Sequence, residues 1–585
     1  MNRRNLLMTM ASLPIAGRAA FSAGAEPVVG ALAQHVPIAG PDQTRYRLTL
    51  NRVLQGTSPA YTSDFLLEDI KATQGRRFSN FCGDLSGRWI GALATSAKTF
   101  GESFPALHDV VKRTIALQHA DGYFGGEFHF DQPDDNDLAL LWGNGRLLVG
   151  LLEYFDLTGE ADVLAASRKL GDFLVRIAPR FNSQQMADAF SADHYASSYI
   201  CWTQQTEGLA LLYAKTQDER YRQLCAAIAS RISRRAGDHV HGYLTSLRGV
   251  MVLYRETGDR SWLEQVVSAW QDIEHSNDLL LTGGVPERWS PKRDRTEGCA
   301  ECDWLRLNLA LYRATGERKY LDTAQNTYFN EFQMNQFATG DFGHGHLDAR
   351  GVPQTVSIRA WWCCTLHGLR AFADLHDAAF RVNREQAFFE LPIDSQVKTD
   401  GLAAEARSEL TTKGSITIEI HEAKPNQKLT VTQPAWADSV SLTRNGLAVQ
   451  GLKVPVVAKD VVKVTYGMKL RVEKAGEPSM VNMHLGPWLM GISSSTNPNY
   501  FNELYAQNIF DLNSLQKAES AATGDFAVPL AEASVRFAPA EFPEQPGLAM
   551  LQAVATQTGS TPQTWQLVFA APSPRDIKAP PLTGD

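Results

Sequence analysis

Seven cysteines are spread over 585 residues, and four of them fall into two short clusters: Cys299-Ala-Glu-Cys302, and Cys363-Cys364 followed by His367. Thiolates with a carboxylate or an imidazole suit a zinc ion of tetrahedral habit, and the metal in turn keeps a cysteine deprotonated near neutral pH. Read from spacing alone, Cys299, Cys302, Cys363, Cys364 and His367 are five candidate ligands for four places. Two chemistries stay open at this point. A closed zinc site would staple two segments together, whereas an open one would offer a reactive sulfur beside an acid.

The odd cysteine number leaves at least one thiol unpaired, and a chain of this size does not need disulfides to be stable. The start of the sequence, with Arg3 and Arg4 ahead of an apolar stretch and a small-residue run ending at Ala25, reads as a signal peptide over 1–25. It predicts export, to a periplasm, and the adjacent arginines point to the twin-arginine route, which would let the protein fold and take up metal first. Removing 1–25 removes Arg3, Arg4 and Arg18 and no acid, so the net charge moves from -8 to -11. Nucleic acid is thereby excluded as a partner class.

The segments that carry the cysteines must be positioned by helices. From about residue 60 to 380 apolar residues recur at three- and four-residue spacing. Within that region one phrase returns, at Leu151 to Gly159, Leu212 to Asp218, Leu253 to Gly258 and Leu311 to Gly316, with a weaker copy from Ala92 to Gly101. Each copy ends one helix and begins the next: glycine takes the left-handed conformation at the C-terminus, and the acid after it favours the following N-terminus. Helical hairpins repeated in this way stack, and a stack that closes is an α/α toroid with a central funnel. An open solenoid for protein binding satisfies the same pattern.

Beyond about residue 385 the pattern alternates, as at Ser415 to Ile420, Lys428 to Thr432, Ser439 to Thr443 and Val461 to Thr465, with Asn445-Gly446 as a turn signal. The predicted organisation is therefore a signal peptide (1–25), an α/α-toroid catalytic domain (26–384), a β-sandwich (385–510) and a tail of further strands or partly disordered chain (511–585).

Glu297-Gly-Cys299, then Cys363-Cys364 one hairpin later, with Thr282-Gly283-Gly284 and Glu287 upstream, resembles the β-L-arabinofuranosidase family, glycoside hydrolase family 127. Leu117 to Gly125 and Leu429 to Gly446 resemble further stretches of that family. The resemblance implies a retaining hydrolase of β-L-arabinofuranosides or a related side-chain sugar of plant-type glycans. Cys363 would be nucleophile and zinc ligand, Glu297, Cys299 and Cys364 the remaining ligands, and Glu287 the general acid/base. Cys302 and His367 would then lie around the metal or face the substrate.

The departures concern the substrate. Where the family has Gly-His pairs, this chain has Gly87-Arg88 and Gly145-Arg146, and Thr245 stands at a third such position. Two arginines facing a funnel would bind a carboxylate, which points to an acidic sugar, and pairing with acids such as Asp84 or Glu153 is the competing reading. Arg88, Arg146, Trp202, Gln204, Arg248, Trp362 and His367 are the candidate substrate-binding residues. The segment between Glu287 and Glu297 is shorter than in the family, and Glu301 is the fallback acid. A polysaccharide lyase using His194 and Tyr195, or His241 and Tyr243, and a zinc-stapled scaffold that binds glycans without catalysis are the alternatives.

Overall fold

The computed structural model describes residues 41–491, apart from 55–60, 72–79, 192–197, 281, 338, 348–358, 384, 469 and 475–479, and five strands beyond. The signal peptide, and His194 with Tyr195, lie outside the described residues.

Twelve helices carry the first part: α1 (Pro41–Leu54), α2 (Asp84–Phe100), α3 (Pro105–Ile115), α4 (Asp135–Thr158), α5 (Ala161–Phe181), α6 (Gln205–Thr216), α7 (Glu219–Ala229), α8 (Val240–Thr257), α9 (Arg260–Glu274), α10 (Gly298–Thr315), α11 (Arg318–Thr327) and α12 (Trp362–Ala379). The even-numbered helices pack each on the next, and α12 returns to α2, so they close a ring. The odd-numbered helices lie outside it, each against an inner partner.

Composition explains the two layers. α5 buries Val163, Ala166, Leu170, Phe173, Leu174, Ile177 and Phe181, one stripe at helical spacing, so it can face water with its other side. α4 buries nearly every residue from Asp137 to Leu152, as a helix enclosed on all sides must. Gly101, Gly159, Gly258 and Gly316 end their helices with φ between 64° and 70°, the left-handed turn anticipated from the repeat. Gln217 makes the same turn without glycine, at φ 54°. Asp218 and Asp259 then cap the following helices through their side chains, whereas Glu160 and Glu317 make no such bond.

Two inner crossings are especially close: α8 on α6 at Gly249, where a Cβ would lie 2.3 Å from the Glu207 backbone nitrogen, and α2 on α4. A Cβ on Gly87 would lie 2.5 Å from the Leu147 backbone, and one on Gly150 only 2.2 Å from the Gly87 carbonyl. Backbone therefore touches backbone where α2 crosses α4, and this fixes the height of the next residue, Arg88.

A short hairpin, β1 (Phe342–His344) with β2 (Arg359–Trp361), leads into α12. After it come β3 (Phe380–Val382), β4 (Gln386–Phe389), β5 (Ser395–Lys398), β6 (Leu402–Glu409), β7 (Ser415–Ala423), β8 (Lys428–Val431), β9 (Ser439–Arg444), β10 (Leu447–Val449), β11 (Lys453–Pro455) and β12 (Val461–Gly467). They form a six-stranded sheet in the order β10-β9-β12-β7-β6-β5 and a four-stranded sheet β11-β8-β4-β3. Val462, Val464 and Tyr466 are buried while Val461 and Lys463 are exposed, the alternation of a sheet covered on one face. Asn445 and Gly446 both take positive φ, 50° and 81°, in the tight turn between β9 and β10. The strands from Leu470 onward form a third sheet.

The β region is tied to the helical ring by specific polar contacts. Trp436 donates to Gln325 on α11 at 2.9 Å, Asn330 just after α11 takes the Leu489 N–H at 2.7 Å, and the Asp42 and Asp394 carboxylates each accept the other's backbone N–H at 2.9 Å. Among the described residues no helix is long and apolar enough to cross a membrane.

Candidate active site and metal centre

Two inner helices begin at the same place. Glu297, in extended conformation at φ -146°, precedes α10 and puts Cys299 in its first turn, while Trp361 precedes α12 and puts Cys363 and Cys364 in its first turn. Unpaired N–H groups and the positive end of the helix dipole at both N-termini favour anionic sulfur there. Gly298 lets the turns approach, since a Cβ on it would lie 2.9 Å from Cys364.

Glu297, Cys299, Cys363 and Cys364 bring one donor atom each to within 4.8 Å of all the others. The Cys299 and Cys364 sulfurs are 3.8 Å apart, and those of Cys363 and Cys364 3.9 Å. A disulfide would need about 2.05 Å. Four arms of about 2.3 Å in a tetrahedron place sulfurs roughly 3.8 Å apart. The donor set and its spacing therefore fit a metal ion of zinc type. Cys299 and Cys364 are buried, and Cys363 alone among the seven cysteines is partly exposed. Cys302 lies buried beyond the group and supplies no ligand to it.

The charge pattern also singles out Cys363. Hydrogen bonds from Cys299 and Cys364, then the nearby Arg88 charge, hold its thiol well below the usual range, while burial pushes Cys299 and Cys364 up. Burial works against an ionised Glu297, yet the charge and hydrogen bond of His239, at 3.1 Å, hold it well below the usual carboxylate range.

Glu287 reaches the same place from a loop. Pro286 bridges Thr296, the Glu287 N–H donates to the Arg295 carbonyl at 2.9 Å, and Val240 donates to the Glu287 carbonyl at 2.8 Å. His239, Glu287 and Glu297 bring ligand atoms within 4.8 Å of one another, so Glu287 adjoins the sulfur group through Glu297. Its carboxylate is held by Arg295 through both oxygens, Nη2 at 2.8 Å from Oε1 and Nε on Oε2. Glu301, the fallback acid, is wholly buried against Glu331, with Asn335 donating to it at 3.1 Å. Burial pushes this pair of carboxyls up, Glu331 to about 7.

The candidate substrate-binding residues fare differently. Arg88 pairs with Asp84 at 2.7 Å, as the competing reading had it, but Arg146 faces Glu207 at 3.6 Å while Glu153 takes Arg370. Arg248 donates to Asp303 at 2.6 Å and pairs with Glu207. These guanidiniums are already neutralised by the ring's own carboxylates, which corrects their reading as anchors for an acidic sugar. Trp202 is fully buried against Phe181, its N–H on Asn182 at 3.3 Å. Gln204 is buried and donates to the Trp142 carbonyl at 3.1 Å. Neither offers a face to a sugar. Trp362 is buried as well, whereas Trp361 is partly exposed and stands edge-on to His344. His367 is wholly buried on Arg88 rather than facing substrate.

Residues missed in the sequence make up much of the surroundings. His239, His344 and Arg295 adjoin the acids, and burial lowers the His344 imidazole to about 4. Asp303, also missed, joins His241 and His367, which the sequence singles out for other roles, in a second buried group inside the ring.

The model of the β-L-arabinofuranosidase catalytic domain of glycoside hydrolase family 127 matches residues 67–377, more than half of the chain. The chain belongs to this family. It is therefore a glycoside hydrolase. Among solved structures, a family 127 β-L-arabinofuranosidase from Geobacillus stearothermophilus T6 is similar over 92% of this chain and 96% of that one, with TM-score 0.62 and 17% identity. A second family 127 β-arabinofuranosidase aligns over 90% and 89% of the two chains, with TM-score 0.61 and 16% identity. At such identity the likeness speaks for the fold. No curated protein matches the chain in sequence. Family membership removes the lyase reading, and the structure agrees: Tyr243 is buried edge-on to Trp289, and His241 is engaged by Asp303.

Proposed function

We propose that this glycoside hydrolase is a retaining β-L-arabinofuranosidase in which Cys363 is the nucleophile and Glu287 the general acid/base, with zinc held by Glu297, Cys299, Cys363 and Cys364. The observation that carries the reading is the contrast within the donor set: three sulfurs within 4.8 Å of one another, with Cys364 at tetrahedral spacing from both others, of which only Cys363 is partly exposed. A purely structural zinc site would bury all four ligands.

When bound, the metal supplies a thiolate at neutral pH. Cys363 attacks the anomeric carbon, the bond to the leaving oxygen breaks, and Glu287 gives that oxygen its proton. Glu287, now a carboxylate, takes a proton from water. The resulting hydroxide attacks the anomeric carbon and breaks the bond to sulfur, so two inversions leave the configuration unchanged. Arg295 stabilises the carboxylate form in the second half, and in the first half Glu287 gives up its proton toward this pairing. His239 fixes the Glu297 carboxylate between the two functions.

Because Arg88, Arg146 and Arg248 have internal partners, the sugar in this reading is a neutral arabinofuranoside. The helical ring is read as an α/α toroid, the two sheets of β3–β12 as a sandwich, and the site as serving a protein exported to a periplasm.

Release of 4-nitrophenol from its β-L-arabinofuranoside tests the proposal. Cys363→Ala, with zinc content and folding matched, is expected to lose about 10³-fold or more of the activity. Equal turnover by the variant would remove Cys363 from the mechanism.

A further inference from the structure

Arg88 lies wholly inside the ring, and each of its three nitrogens meets a named acceptor. Nε donates to Asp84 at 2.7 Å, Nη2 is 2.9 Å from His241 Nε2, and Nη1 is 2.9 Å from His367 Nδ1 and 3.6 Å from the Cys299 sulfur. A guanidinium has no acceptor and keeps its charge, so both imidazole nitrogens facing it must present lone pairs. His241 then carries its proton on Nδ1 and gives it to Asp303, 2.5 Å away. Asp303 is fixed in turn by Thr245 at 2.8 Å and Arg248 at 2.6 Å. Four inner helices thus hold one guanidinium in a single orientation, and α2 cannot shift because Gly87 touches α4.

We propose that Arg88 is a positioning residue that divides labour among the three sulfurs, fixing Cys299 as a permanent ligand and leaving Cys363 as the one that can turn to the sugar. The inference rests on the zinc-site reading above. An N–H on sulfur draws electron density from it and makes it a poorer nucleophile, and among the described residues no side-chain N–H donor reaches the Cys363 sulfur. Three thiolates and a carboxylate carry four negative charges against two on zinc, so a fixed cation offsets part of the excess while giving its hydrogen bond to Cys299 and not to the reacting sulfur.

The test uses full-length protein loaded with cobalt(II), whose sulfur-to-metal absorption band reports electron density on the ligating sulfurs. Arg88→Lys keeps the charge but loses the planar fork, and Asp84→Asn with Arg88→Gln removes both charges together, so that neither is left buried alone. In each the band is expected to move to longer wavelength, and kcat/KM on the zinc enzyme to fall about 10- to 100-fold, the value of one hydrogen bond to a charged group. Nitrogen-15 shifts of the native protein, which need no variant, should show His241 Nε2 and His367 Nδ1 unprotonated. An unchanged band in both variants, or a proton on either nitrogen, overturns the assignment of Arg88. If the native protein binds neither cobalt nor zinc, the metal reading itself fails, and the Arg88 proposal with it.

Discussion

Glu287 and Arg295 are neighbours twice over: backbone N–H to carbonyl at 2.9 Å, and carboxylate to guanidinium through both oxygens. The acid is therefore held at both ends by one residue eight positions away. Arg295→Met should remove the cation that stabilises the Glu287 carboxylate in the base half of the reaction. The expected result is a fall in kcat of about 10-fold, with the glycosyl-enzyme accumulating in a pre-steady-state burst. Native kcat and no burst would show that Arg295 does not support Glu287 as base.

Metal content separates the four proposed ligands from the bystander. Glu297→Gln, Cys299→Ser and Cys364→Ser should each lower bound zinc to well below one per chain and abolish activity, as should dialysis against a chelator. Cys302→Ala should keep its zinc and lose only stability, since this buried sulfur lies outside the group. Elemental analysis of the purified variants decides the matter, and a Cys302 variant without zinc would contradict the assignment.

The crossing of α2 and α4 leaves no room for a methyl group. Gly150→Ala would bring carbon to 2.2 Å from a carbonyl oxygen, so helix backbones must move, at a cost of about 1–3 kcal/mol or more. Thermal unfolding should fall by several degrees, and activity should fall with it because Arg88 follows the Gly87 backbone. A variant with native stability would mean that the crossing yields easily.

Stability should also respond to pH far from the site. Burial, then the neighbouring Asp42 charge, raises the Asp394 carboxyl to about 7, above its value of about 4 in an unfolded chain. The folded state therefore holds the proton more tightly, so the stabilisation it gives is complete below about pH 4 and lost as pH rises to 7. Asp394→Asn cannot ionise, although its one carbonyl oxygen serves either the Asp42 or the Ser408 N–H and not both. Its stability relative to that of the native protein should therefore rise between pH 4 and pH 8, by about 1 kcal/mol or more. Denaturant unfolding at the two pH values measures this, and a gap independent of pH would count against a shared proton.

The helical hairpins were legible because their signal is local: Gly159, Gly258 and Gly316 each end a helix by their own backbone freedom. Residue type and spacing single out Cys299, Cys363 and Cys364 but offer Cys302 and His367 beside them, and Glu297 comes only from the family resemblance, because spacing does not say which of these side chains two helix starts bring together. The arginines were legible only where the partner is local, as Arg88 with Asp84 one turn away; Arg146 meets Glu207 and Arg88 also meets His367, partners 61 and 279 residues away that no spacing rule connects. The tryptophans failed for a different reason. Trp362 begins an inner helix and Trp202 lies in the short turn Ile200–Thr203 just ahead of α6, and burial between the two layers leaves neither a free face.

The sulfurs begin two ring helices, whereas Glu287 belongs to a loop stitched to His239 and Arg295 from outside the ring. The reacting pair therefore has two separate mountings, one as stiff as the ring and one a replaceable arm. Under the proposed roles the arm could shorten or be exchanged for another, and the proton donor would be re-aimed at a different leaving group while the sulfur chemistry stays where it is.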